Sequence, residues 1–132
     1  MVTPIPNFER IEQIALELPE SIRVDDEAWD NLPTFRVRKK NYVFAKPHGE
    51  GITIKLSKDE AFAVIASDDA AEPMGFGLGD HGWVYVGLAD NESEDRWEEI
   101  TEWIRTSYIL VAPKKLAEIV INEDFGESEA TP

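Results

Sequence analysis

The chain contains no cysteine, which removes disulfides, thiolate nucleophiles and cysteine-ligated zinc together. It has only two histidines, His48 and His81, so a histidine-rich metal centre is excluded as well. No apolar run approaches the ~18 residues that a membrane-spanning helix needs. The first six residues carry neither a basic nor an apolar segment of the kind that directs secretion. The expectation is a soluble, cytoplasmic protein that does not insert into membranes. Positive charge is scarce: 13 Lys and Arg stand against 27 Asp and Glu, a net charge of −14. Such a field repels polyanions and opposes non-specific association with nucleic acid or anionic lipid.

What the chain does have is length and apolar content enough for one packed core. Its 132 residues include 42% hydrophobic side chains, four Trp and six Phe, which argues for a single globular domain over residues 1–121. Residues 122–132 are acidic and lack apolar periodicity, and read as a flexible tail. The scarce positive charge is concentrated. Between Arg36 and Lys58 there are seven basic residues (Arg36, Arg38, Lys39, Lys40, Lys46, Lys55 and Lys58) and one acid, Glu50.

That same stretch alternates apolar and polar residues with a period of two, the pattern of strands with one solvated face. Strands are expected near residues 34–38, 42–46 and 52–56. Lys39-Lys40 forms the first tip and Pro47-His48-Gly49-Glu50-Gly51 the second. The middle strand is ambiguous, because Tyr42, Phe44 and Lys46 oppose Val43 and Ala45. Before these strands, Asn7 can cap a helix with apolar positions Phe8, Ile11, Ile14, Ala15 and Leu18. Residues 20–33, with Asp25-Asp26-Glu27, read as an irregular solvated loop. After the strands, Ser57-Lys58-Asp59-Glu60 matches a capping box for a second helix with Ala61, Phe62 and Ile65 inward. Residues 70–82 are Gly-rich and read as a loop or irregular strand. A strand at 83–88 and a long helix capped by Asn91 or Ser93 follow, with Trp97, Ile100, Ile104, Tyr108 and Val111 as its apolar stripe. Ala112-Pro113 breaks that helix, and a short one runs from Lys114 to about Val120. The fold class is therefore α/β in the mixed α+β sense, an antiparallel sheet packed against helices.

The candidate sites follow from chemistry. Arg36 and Arg38 share a strand face and Lys39-Lys40 sit at a tip, so this hairpin, with Lys46 and Lys55, can meet several phosphates. The competing explanation is that these charges keep an edge soluble or pair with the surplus carboxylates. His81 beside Trp83 is the one histidine in a suggestive setting for a ligand, although Asp80 is its neighbour in sequence and points elsewhere. Gly75-Phe76-Gly77-Leu78-Gly79 leads into a strand, whereas phosphate-binding loops follow a strand and open a helix. It is not a cofactor signature. No acid, base and nucleophile can be assembled, so an enzyme is not expected, and no cofactor is implied.

Three stretches carry a resemblance to a known family: Leu32-Pro33-Thr34-Phe35-Arg36-Val37 into Tyr42-Val43-Phe44-Ala45; His81-Gly82-Trp83-Val84-Tyr85-Val86; and Trp97 to Tyr108 into Leu110-Val111-Ala112-Pro113-Lys114-Lys115-Leu116-Ala117. In this order they resemble the MmcQ/YjbR-like family of small bacterial proteins. The resemblance implies a frataxin/CyaY-like architecture and a DNA-binding label, and it suggests weak binding of iron or a divalent cation on an acidic face as a further option. The leading expectation is a non-enzymatic protein whose basic hairpin contacts DNA or another anionic partner. The alternative is a protein-interaction or small-ligand module.

Overall fold

The computed structural model describes residues 5–75 and 78–129, the side chains of Trp29 and of residues 124–129 apart. Six strands form one antiparallel sheet in the order β1-β2-β3-β4-β6-β5, as the period-two pattern and short connections favour. The strands are β1 (Ile22–Asp26), β2 (Leu32–Val37), β3 (Lys40–Ala45), β4 (Gly51–Lys55), β5 (Ala71–Pro73) and β6 (Trp83–Gly87). The helices are α1 (Asn7–Leu16), α2 (Lys58–Ser67), α3 (Glu94–Val111) and α4 (Lys114–Glu129). The mixed α+β class expected from the sequence is the one observed.

Register sorts the side chains. Val43 lies opposite Ile54, Ala45 opposite Ile52, and these two isoleucines opposite Val84 and Val86. This face, with Phe35, joins Ile11 and Ala15 of α1 and Trp97, Ile100, Ile104 and Tyr108 of α3 in one core. The opposite face carries Thr34, Phe44, Thr53 and Tyr85 in one cross-strand row. The ambiguity of the middle strand has a local cause: the β2–β3 register passes from Phe35–Val43 to Arg36–Asn41 and skips Tyr42. The extra residue rotates Tyr42 into the core beside Val43, as a bulge does.

Two tyrosines then anchor the α1–β1 connection. The Tyr42 hydroxyl donates to the Ala15 carbonyl at 3.1 Å and lies 2.6 Å from Ser21 Oγ. The Tyr108 hydroxyl donates to the Pro19 carbonyl at 2.6 Å. The rings meet edge to face at 5.4 Å, a favoured aromatic geometry. Burial pushes the Tyr42 phenol above its ordinary pKa, so it stays a neutral donor.

Several expectations are corrected. Residues 22–26 form an edge strand paired with β2 rather than a loop. Asn7 caps nothing; its amide donates to the carbonyls of Gly49 at 3.1 Å and Ala89 at 2.9 Å, tying two loops to α1. The hairpin tip is Arg38-Lys39, one residue earlier than expected, and both have positive φ (49° and 69°). Phe62 is 77% exposed. Helix α2 packs on β5 and β6 with Ala61 inward, and the next residue, ~100° further round the helix, turns away. Ser57 caps α2 as expected, and of the two candidates Asn91 and Ser93 it is Ser93 that caps α3; they accept from the amides of Glu60 and Arg96. Helical backbone continues past Val120. The expected flexible acidic tail at 122–132 falls mostly on residues, or side chains, outside those described.

Candidate functional site

The basic hairpin comes first, because sequence made it the sharpest candidate. Arg36 donates from Nε to Asn41 Oδ1 at 2.5 Å and pairs through Nη2 with Asp26. Arg38 forms a two-pronged pair with Glu20, 2.6 Å from Nε and 3.0 Å from Nη2. That contact holds the Glu20 carboxyl below its usual range. Both arginines thus have carboxylate partners brought from the α1–β1 connection and from β1. The pairing explanation accounts for them. Lys39 and Lys40 are exposed and lie in no ion pair among the described residues.

Lys46 and Lys55 lie elsewhere, on the open face of the sheet. Lys46 Nζ stands 5.9 Å from the Tyr85 ring centre, and Lys55 Nζ 5.9 Å from that of Trp83. Trp83 in turn meets Phe44 at 5.5 Å between ring centres. Neither lysine has a carboxylate within ion-pair distance among the described residues. Between β3, β4, β6 and the chain at 72–75 lies a cavity of about 360 Å³. Its lining includes Phe44, Thr53, Lys46, Tyr85, Glu72 and Met74, with Glu72 in register beside Tyr85.

Local structure explains the shape. A Cβ on Gly51 would stand 2.0 Å from the Tyr85 hydroxyl oxygen. The missing side chain is therefore what lets the Tyr85 ring lie along the sheet. Thr53 is 5% exposed, yet among the described residues its hydroxyl donates only to the Met74 sulfur at 3.8 Å, a weak acceptor. A cavity of this volume with apolar walls and a few polar groups is the ordinary form of a small-molecule site.

The position of Lys55 is fixed from behind. Ser107 of α3 is fully buried; its hydroxyl accepts from the Lys55 amide and donates to the Lys55 carbonyl, each at 2.8 Å. β3 supplies no register partner to Lys55, so the serine satisfies both backbone groups.

The remaining candidates fall apart in space. His81 is exposed and ends a 3₁₀ turn (Leu78–His81), and neither it nor Trp83 lines the cavity; Trp83 instead packs beside Phe44 and Lys55. Asp25 pairs with Arg23, and Asp26 pairs with Arg36 while capping the 3₁₀ turn Glu27–Trp29. No group of three His, Asp or Glu among the described residues gathers to hold a metal ion. Trp103 is half-buried beneath the Arg96 guanidinium, 5.0 Å from its ring centre. A second groove, of about 340 Å³, lies beside α3 at Arg10, Glu94, Trp97 and Glu102. Its lining residues engage one another: Arg10 stacks 4.8 Å from the Trp97 ring centre and pairs with Glu94 at 2.8 Å. No helix among the described residues is long and apolar enough to cross a membrane.

Comparison with known proteins bears on this geometry. The YjbR family model matches residues 16–110. The crystal structure of Deinococcus radiodurans protein DR2400, described as carrying domain DUF419, is similar over 83% of this chain and 81% of that one. Its TM-score is 0.64 at 22% sequence identity, a likeness of fold. No curated protein matches.

Proposed function

Starting from the premise that this chain belongs to the YjbR family, we propose that it is a non-enzymatic cytoplasmic binding protein whose binding surface is the open face of the sheet. The observation that carries this reading is the 360 Å³ cavity, with an aromatic wall, one lysine and an under-used hydroxyl. A fold alone hosts many functions, so the argument rests on the site. Catalysis finds no support. Neither histidine side chain makes a hydrogen bond among those described, and Lys46, Thr53 and Glu72 include no nucleophile with an adjacent base.

The test is a titration of isotopically labelled protein with a library of small aromatic fragments, followed by amide chemical shifts. Shifts clustered on Phe44, Lys46, Thr53 and Tyr85 are expected. Shifts confined to other surfaces, such as the Arg10–Trp97 groove, would overturn the reading.

A second reading, contact between the hairpin tip and nucleic acid, is supported by the exposure of Lys39 and Lys40. Its reach is limited. With Arg36 and Arg38 engaged by Asp26 and Glu20, two cations remain at the tip against a net charge of −14.

A further inference from the structure

The open-face cavity has a polarity that selects among ligands. Its lining carries both signs of charge: Lys46, whose Nζ stands over the Tyr85 ring, and Glu72, in register beside Tyr85 on β5. Lys46 is presented over an aromatic ring rather than to a carboxylate. In a chain with 27 acidic residues, a lysine beside a cavity with no acidic partner among the described residues is available to an incoming anion. The Tyr85 ring offers a face for stacking, and its position is set by the absence of a side chain at Gly51. Thr53 offers a buried hydroxyl that gains by exchanging the Met74 sulfur for an oxygen or nitrogen acceptor. Glu72 repels a second negative group and accepts an N–H, which orients a ligand with its anionic end toward Lys46.

We infer that the cavity takes a free, ring-bearing anion of mononucleotide size, its ring against Tyr85 and its phosphate or carboxylate on Lys46. This rests on the open-face reading above. Size supports a small molecule over a strand. Lys55 pairs in register with Trp83, four residues along β4 from Gly51, a separation of about 13 Å at the strand rise. A ligand confined to the cavity meets Lys46 and not Lys55, whereas a nucleic-acid strand crossing the open face meets both. The two lysines therefore report which kind of ligand is bound.

The experiment uses the full chain and calorimetric titration with 5′-AMP, adenosine, inorganic phosphate and a short single-stranded oligoadenylate. The expected result is that 5′-AMP binds at least ten-fold more tightly than adenosine or phosphate. Lys46→Gln should weaken 5′-AMP about five- to twenty-fold and leave adenosine unchanged. Lys55→Gln should leave 5′-AMP within two-fold. Gly51→Ala, which displaces the Tyr85 ring, should weaken 5′-AMP and adenosine alike. Circular dichroism and a melting curve establish that each variant is folded, and Lys46→Gln carries the test if Gly51→Ala is not.

Three outcomes overturn the inference. Equal binding of adenosine and 5′-AMP, insensitive to Lys46→Gln, removes the anion while leaving an open-face site for neutral rings. Tighter binding of the oligonucleotide, lost in both lysine variants, assigns the face to a strand. Absence of any open-face shift with 5′-AMP, in a protein that also gives no fragment shifts there, removes this inference and the reading beneath it together.

Discussion

Ser107→Ala is the substitution for which the structure gives the clearest magnitude. One hydroxyl satisfies both the amide and the carbonyl of Lys55 at 2.8 Å, at a point where β3 no longer pairs with β4. Alanine leaves a backbone donor and acceptor behind a fully buried side chain. An orphaned buried polar group costs about 1–3 kcal/mol, and partial entry of water to one of the two brings the expected loss to about 2–4 kcal/mol. For a chain of this size each kcal/mol lowers the melting temperature by roughly 3–5 °C. Urea denaturation measures the loss, and hydrogen exchange localises it. The Lys55 amide should exchange faster relative to the Ile52 amide, which stays within the β3–β4 and β4–β6 ladders. A loss below about 0.5 kcal/mol, or no change at Lys55, would refute the claim that α3 holds the end of β4 through this serine.

Three further expectations follow from single contacts. Gly82 has φ +88°, and a Cβ there would stand 2.0 Å from the Leu56 carbonyl oxygen; Gly82→Ala should cost more than about 3 kcal/mol in urea denaturation, through strain and displaced backbone. Asp68 is held below its ordinary pKa chiefly by its hydrogen bonds to Arg96. Its contribution is complete above about pH 4 and fades as pH falls through the lower folded value. Asp68→Asn should therefore cost about 2 kcal/mol at pH 7 and progressively less as the pH falls below the ordinary carboxyl range, read by denaturation at each pH. Lys39→Glu with Lys40→Glu should leave ligand binding at the open face intact. Any DNA binding through the tip should show a log–log salt slope no steeper than about −2, since about one unit is expected per phosphate contact, and the double variant should flatten it in a fluorescence-anisotropy titration.

The parts of this fold that sequence made legible are those with a strong local period. Strands β2, β4 and β6 were visible because alternation sorts their side chains, β3 was ambiguous because the bulge at Tyr42 breaks its parity, and Ser57 announced its helix as Asn91 or Ser93 did the next. Strand β1 was not, because Arg23, Asp25 and Asp26 make it look solvated; as an edge strand it is exposed on much of its length, and charge is what edges carry. The ion pairs were hidden for another reason. Glu20 lies 18 residues from Arg38, and Asp26 ten from Arg36, distances at which no local pattern reports contact. The cavity was half visible. Phe44 and Lys46, like Thr53 and Lys55, share a strand face by parity, but register was needed to set Thr53 beside Tyr85 and Tyr85 beside Glu72. The wall built from β5 lay within a Pro- and Gly-containing segment that gives no period.

The division of labour among the basic residues follows from their chemistry. Guanidinium groups present a rigid fork that matches a carboxylate, and ammonium groups a hydrated point charge on a flexible stem. Here the arginines Arg10, Arg23, Arg36, Arg38 and Arg96 all hold carboxylates and tie elements together. Lys46 and Lys55 hold none among the described residues and stand over rings instead. A residue kept for structure should cost stability when removed, and one kept for a ligand should not. Arg36→Gln is expected to lose about 1–3 kcal/mol, because it leaves Asp26, whose side chain is 18% exposed, without its partner. Lys46→Gln and Lys55→Gln are expected to stay within about 0.5 kcal/mol of the parent, as surface changes do. Denaturation of the three variants side by side decides the matter. A loss above about 1 kcal/mol in both lysine variants would mean that the cation–ring contacts support the sheet, and the open face would lose its claim to be kept for a ligand.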